Sequence, residues 1–467
     1  MKQRKVAIFA FVGLVALLLS LMVKVVFFLA LRPRVTVDYV AQLNELSRPA
    51  EYDPDRNAAP FYQLAFDAFV EPPEELPMLD YTDRPGDFND AEQALLRSWF
   101  ASNERALGYF HEATTRPYYW LERHSERDNM ITGIPYRELS PLNQLAKAVV
   151  WAAKFEAAQG RPEVAWQYIL DCYRAGGHKC SANLLIMEQH FGLGLREQSV
   201  RGAAVILDSS RVGTAVLKRL QDDLQQELDS DTYIPGAAAE RLEDYDALQL
   251  AFVHHSKGTG RLWWRACRGV VILSTGEDAR RMERQFRWSW ILGPTRNEAA
   301  EQIERTFSLF NQLVDKTPWQ IKSGSVDYFR QVRAINTRHA ALEIMRIGID
   351  PEPLLHAYHK TRLQTDALIA VLAILRYKAD HAQLPESLDV LSAGGYLQAV
   401  PEDPYSGAPL VYRLADDGFQ LYSIGPNFTD DNGASGLDIV CWPVEKPKDP
   451  SQIPGDFYSG TPKANWQ

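Results

Sequence analysis

Runs of lysine and arginine are missing from this chain after residue 5. Nucleic-acid binding draws its affinity from such basic surfaces, so that class of partner is excluded. The formal net charge of −10 favours solubility and says little about fold. Catalytic signatures are missing as well: there is no HExxH, no GxSxG, no P-loop and no Rossmann fingerprint. His254 and His255 are adjacent, but neighbours on a helix point to different sides and share a metal only if the backbone is distorted. The acidic cluster 243-EDYD-246 reads as a solvated helix face. Cysteine is scarce, at four residues, and none forms a CxxC pair. Cys172 and Cys180 are spaced to bridge across 176-GGHK-179 in an oxidising compartment. Buried free thiols are the simpler reading for these two, as for Cys267 and Cys441.

Long hydrophobic runs are confined to the N-terminus. Lys2, Arg4 and Lys5 precede 6-VAIFAFVGLVALLLSLMV-23, an uncharged run of 18, and 25-VVFFLAL-31 follows Lys24. A bilayer span needs about 20 apolar residues, so a single-pass membrane anchor is expected. The rival is a cleaved signal peptide, whose apolar core is about 7–15 residues long and ends at a small-x-small site. The run here is longer and its exit, 29-LALRPR-34, has no good site. With Lys24 counted inside the span, three basic residues face Arg32 and Arg34. That asymmetry places the N-terminus in the cytoplasm and the large C-terminal part outside it.

The whole chain is 46% hydrophobic and 24% charged, which is globular composition, and its length suits roughly two to three domains. Short helices are expected at 38–46 and 57–70. The Pro-rich, acidic stretch 71–90 reads as a linker or surface loop. Asn89 and Glu92 form a capping box ahead of a helix over 93–110. Ser140-Pro141 starts a helix that runs to Ala158, and Gly160-Pro162 turns the chain into a second that stops at Gly176-Gly177. This pair, 149–176, resembles one tetratricopeptide-type hairpin, with Ala153 and Ala165 suited to close packing. No 34-residue period follows, and an isolated hairpin in an all-α domain explains it equally well. Further helices are expected near 182–207, 211–229, 236–256, 296–316 and 326–347. Trp151, Trp166, Trp263 and Trp264 read as core.

The C-terminal region changes character. In 361-TRLQTDALIAVLAILRYKADHAQLP-385 the section Ala367–Leu375 is unbroken apolar, so a helix buried around most of its circumference is expected. Next come a helical turn at 386–397, a loop at 400-VPEDPYSGAPL-410, and candidate strands 409–414 and 418–424 joined by Asp416, Asp417 and Gly418. Taken in order, 376-RYKADHAQLPESLDVL-391, 394-GGYL-397, 401-PEDPYSGAPLVYR-413, 419-FQLYSIGPN-427 and 438-DIVCW-442 resemble the C-terminal part of the major pseudopilin of bacterial type II secretion systems. The similarity covers about a fifth of the chain. Two departures stand out: 1-MKQRKVAIFAFVG-13 has no counterpart of the family's first anchor-helix glutamate, and Tyr405 replaces its tryptophan. The expectation is a membrane protein carrying such a module, not a processed filament subunit.

The resemblance implies a calcium site in 423-SIGPNFTDDNGASGLDI-439. Asn427 and Asp438 align with family aspartates, and Asp430 and Asp431 are additional acidic candidates. Calcium takes six to eight oxygen ligands, which closely spaced Asp, Asn and backbone carbonyls supply. The alternative is a polar turn in which Asn and Asp serve turn geometry.

The expected fold is therefore mainly α. It comprises an anchor (1–35), short helices and a linker (36–90), a helical domain (91–350), a pseudopilin-like α+β module with an antiparallel sheet (351–445) and a flexible tail (446–467). The expected function is a membrane-anchored, non-enzymatic assembly or binding protein. It would meet protein partners through the helical domain or the module. The alternatives are an enzyme with a site in a groove of the helical domain and a helical-repeat adaptor for peptides.

Overall fold

The computed structural model describes residues 32–76, 83–127, 129–210, 212–253, 260–263, 293–324, 352–415 and 418–444, together with 15, 18–20 and 22. The architecture is mainly helical, with one small three-stranded antiparallel sheet near the C-terminus. The expected anchor at 6–31 lies almost wholly outside the described residues. Among those described, Val15, Leu18, Leu19 and Met22 are helical and exposed. No described helix is long and apolar enough to cross a membrane, so the transmembrane element of the expected fold has no structural support here. The helix at 326–347, the His254-His255 pair, Trp264, Cys267 and the tail also lie outside the described residues.

The first helices are α1 (Tyr39–Ser47), α2 (Ala59–Ala68), α3 (Asp90–Ser102) and α4 (Glu104–Thr114). The Asn89–Glu92 capping box forms as read. The single helix expected over 93–110 is broken at Asn103. Its buried side chain accepts the Val70 N–H and donates to the Val70 and Trp99 carbonyls, so it clamps a neighbouring segment instead of continuing the helix. In the stretch read as a linker, Leu76 and Phe88 are buried in a cluster with Trp99, Trp151 and Phe155.

The body continues with α5 (Leu139–Ala158), α6 (Pro162–Gly177), α7 (Ile186–Ser209), α8 (Thr214–Ser230), α9 (Ala238–Ala251), α10 (Arg296–Leu313) and α11 (Pro318–Ser323). The α5–α6 hairpin turns at Gly160, whose φ of 75° only glycine adopts freely. Ala153 and Ala165 are buried between the helices, as expected. α6 ends at Gly177, as read. Gly176 is in addition a crossing point: a Cβ there would sit 2.6 Å from the Gly192 carbonyl oxygen on α7. The reading of the cluster 243-EDYD-246 is corrected. Asp244 and Asp246 are buried, and Asp246 accepts the Ile131 N–H at 2.7 Å and a Gln249 side-chain N–H. Satisfying the first N–H of the short helical turn Ile131–Gly133, and not solvation, is the role of that carboxylate. Cys172 and Cys180 are buried free thiols, with burial pushing Cys180 up to about 11.

The C-terminal region opens with α12 (Glu352–His381), which starts nine residues earlier than the apolar pattern suggests. After α13 (Leu388–Ala393) come β1 (Val411–Ala415), β2 (Gly418–Ser423) and β3 (Ile439–Trp442), in the order β1-β2-β3. The helices pack in series: α6 on α5 and α7, α7 on α12, and α12 on α8. One hydrophobic core runs through all of them and into the sheet. It joins Ile169, Leu207, Leu224, Leu372, Leu391, Leu421 and Trp442.

Candidate functional site

Strand alternation gives the sheet two different faces. Tyr412, Phe419, Leu421 and Trp442 lie on the face toward α12, with the Phe419 and Trp442 rings stacked at 5.6 Å. Arg413, Gln420 and Tyr422 lie on the other. In the register, Arg413 opposes Gln420 and is the diagonal neighbour of Tyr422, so the guanidinium sits 5.2 Å from the Tyr422 ring. The loop between β2 and β3 folds back over this second face. Gln420 donates to the Gly433 carbonyl, the Tyr422 hydroxyl donates to Asp430 at 2.9 Å, and Arg413 donates to Asp430 and Asn432 at 3.0 Å each. The loop makes its bends with Gly425, Phe428, Asn432, Gly433 and Gly436 at positive φ.

A buried carboxylate secures each end. At one end, Asp403 accepts from the Tyr405 N–H (2.9 Å), the Ser423 hydroxyl (2.7 Å) and the Ile424 N–H (3.0 Å). At the other, Asp438 accepts the Asp431 N–H (3.3 Å) and the Gly433 N–H (2.6 Å) through its two oxygens. Burial pushes the Asp438 carboxyl above the usual range despite these donors. Tyr405, at the position of the family's tryptophan, is wholly buried. Its hydroxyl is hydrogen-bonded to His356 Nδ1 on α12 at 2.7 Å, and burial lowers the pKa of that imidazole to about 4.

No family model, curated protein or solved structure matches this chain.

The four residues proposed for calcium are thus accounted for individually. Desolvation raises the Asp430 carboxyl, but the Asn432 N–H, the Tyr422 hydroxyl and the Arg413 guanidinium together outweigh it and hold the carboxyl below the usual range. Asp438 spends both oxygens on backbone N–H groups. Asn427 donates to Asp431 at 2.6 Å on the exposed rim, and its own oxygen accepts the Thr429 N–H. A calcium ion takes six to eight converging oxygens, and a cation beside it weakens its binding. This donor set does not fit one, because its oxygens are turned to N–H groups and a guanidinium already stands at Asp430. Among the described residues no three His, Cys, Asp or Glu side chains are grouped to hold a metal.

Sequence reading passed over Asp403, Arg413, Gln420 and Tyr422. The signal for Asp403 was the Asp-Pro pair inside 401-PEDP-404, a turn-starting combination. For the other three it was their alternation on the strands, which assigns them to one face once the register is known.

A second polar centre lies inside the helical body. Arg123 donates twice to Glu188, at 2.7 and 2.8 Å, and Lys179 bridges Glu188 and Glu138 at 3.3 and 3.2 Å. Lys179 also lies 4.2 Å from the Tyr119 ring. Glu188 and Lys179 are essentially solvent-free. Burial raises the Glu188 carboxyl, but Lys179 and Arg123 outweigh it and hold it below its usual value. Two cations and two carboxylates balance here, and they tie the 116–137 loop, α5, α6 and α7 together. An open cavity of about 530 Å³ lined by Asp222, Gln225, Gln226, Asp229, Ser230 and Gln398 lies elsewhere, between α8 and the C-terminal region.

Proposed function

We propose that the chain is a membrane-anchored, non-enzymatic assembly or binding protein, in which the helical body is a scaffold that presents a pseudopilin-like C-terminal module. The observation that carries this reading is the joint placement of the motif segments. The long helix, the Asp-Pro loop, the hairpin and the final strand meet in one unit, and Asp403 ties the loop to the end of β2. The module shares its core with the body and is therefore a fixed element of it.

In the polar centre at Glu188 the buried charges engage one another, which supports a structural role for that centre. The enzyme alternative calls for titratable groups converging on a deep pocket, and the cavity beside α8 shares no residue with that centre. The adaptor alternative calls for three or more stacked hairpins; α5–α6 is one, whereas α7 and α8 each pack on α12.

The anchor and its orientation are tested together by carbonate extraction and protease shaving of intact spheroplasts. The chain should stay in the membrane pellet, and residues beyond about 35 should be digested. Release into the soluble fraction would remove the anchor from the proposal. Full protection beside digested controls would reverse the orientation.

A further inference from the structure

We infer that Arg413 is a tethered cation that closes the β2–β3 loop in place of a bound metal. The inference rests on geometry on the sheet's outer face. The guanidinium reaches two loop side chains, Asp430 Oδ2 and Asn432 Oδ1, at 3.0 Å each. Its plane lies near the Tyr422 ring, and the Tyr422 hydroxyl holds the other oxygen of Asp430. A strand residue, an aromatic floor and a loop carboxylate thus form one closed circuit. The Asn432 backbone N–H adds to it by donating to Asp430 Oδ1 at 2.9 Å.

Closing this loop brings Asp430, Asp431 and Asp438 within one turn-rich segment. Like charges so placed repel, and a positive charge at Asp430 offsets part of that repulsion. A divalent ion would do this with a ring of oxygens. Here a planar fork does it from the strand, with two directed hydrogen bonds. The fork is covalently part of the fold, so closure does not depend on an ion concentration. It depends on ionic strength instead, because the Arg413–Asp430 pair is partly exposed and screened by salt.

The test is backbone hydrogen exchange of residues 427–433 in the full chain, in several millimolar calcium and in chelator. Protection in the native chain should be the same in both and fall in 0.5 M salt. Arg413→Ala should exchange about five- to ten-fold faster in chelator, a loss expected of a partly exposed charge-assisted contact. Calcium should not restore that protection, because the Asp438 and Asn427 oxygens stay engaged by N–H groups. Arg413→Lys should fall between the two, keeping the charge and losing the fork. Calcium-dependent protection in the native chain would overturn the inference. So would an Arg413→Ala loop that exchanges no faster than the native one.

Discussion

Leu372→Asp is expected to destabilise the body helices and the C-terminal sheet together. Leu372 is 0% exposed on α12, among Ala367, Ile369, Val371, Ala373 and Ile374, all buried. Its core includes Leu207 and Leu224 from the body and Leu421 and Trp442 from the sheet. A carboxylate there would stand in an apolar core, so it either stays charged at heavy cost or takes up a proton. Either way the penalty is several kcal/mol. Leu372→Ala isolates the packing part and should cost about 2–5 kcal/mol. Because the core is continuous, one cooperative transition should carry both the body helices and the sheet to lower denaturant. A melt in which only the sheet's aromatic signal shifts, with the helical signal unmoved, would show that the two parts are uncoupled.

Glu188→Gln should cost nearly as much, for a different reason. It removes a carboxylate that two buried cations share, leaving Arg123 and Lys179 facing each other without it. Breaking one side of a buried pair typically costs about 3–5 kcal/mol, most of it from the stranded charge. The double variant Arg123→Met with Glu188→Gln should be less damaged than the sum of the two single losses. The pH dependence has a fixed sign. The folded Glu188 carboxyl lies below its ordinary value of 4.5. Its contribution is therefore complete above about pH 4.5 and fades as pH falls through the lower folded value. Urea midpoints measured from pH 7 to pH 3 should show the native chain converging on Glu188→Gln at the acid end. Parallel curves would mean that Glu188 is not charged in the fold.

The elements legible in the sequence were those whose signal is local. Capping at Asn89, the turn at Gly160, the apolar run Ala367–Leu375 and the hairpin of β1 and β2 all rest on residues within a few positions of each other. What stayed illegible depends on partners far along the chain. Asn103 breaks a helix because Val70 needs its amide, and Asp246 is buried because Ile131 needs an acceptor. The Glu188 centre assembles Arg123, Glu138 and Lys179 from three separate segments. At the candidate calcium loop the acidic residues were visible, and their partners were not. Arg413 lies 17 positions from Asp430, and only the strand register brings the two together.

The central claim is that the C-terminal module meets a protein partner at the membrane, and photo-crosslinking in intact cells tests it most directly. Leu414 and Leu437 are exposed positions of the module, at 56% and 52%, and accept a benzoylphenylalanine without disturbing the core. Val164 on α6 is an exposed body position for comparison, at 42%. The account predicts a discrete adduct of higher mass, in the membrane fraction, from Leu414 or Leu437. An adduct from Val164 alone, or none from either module position while the chain is folded and membrane-bound, would contradict it.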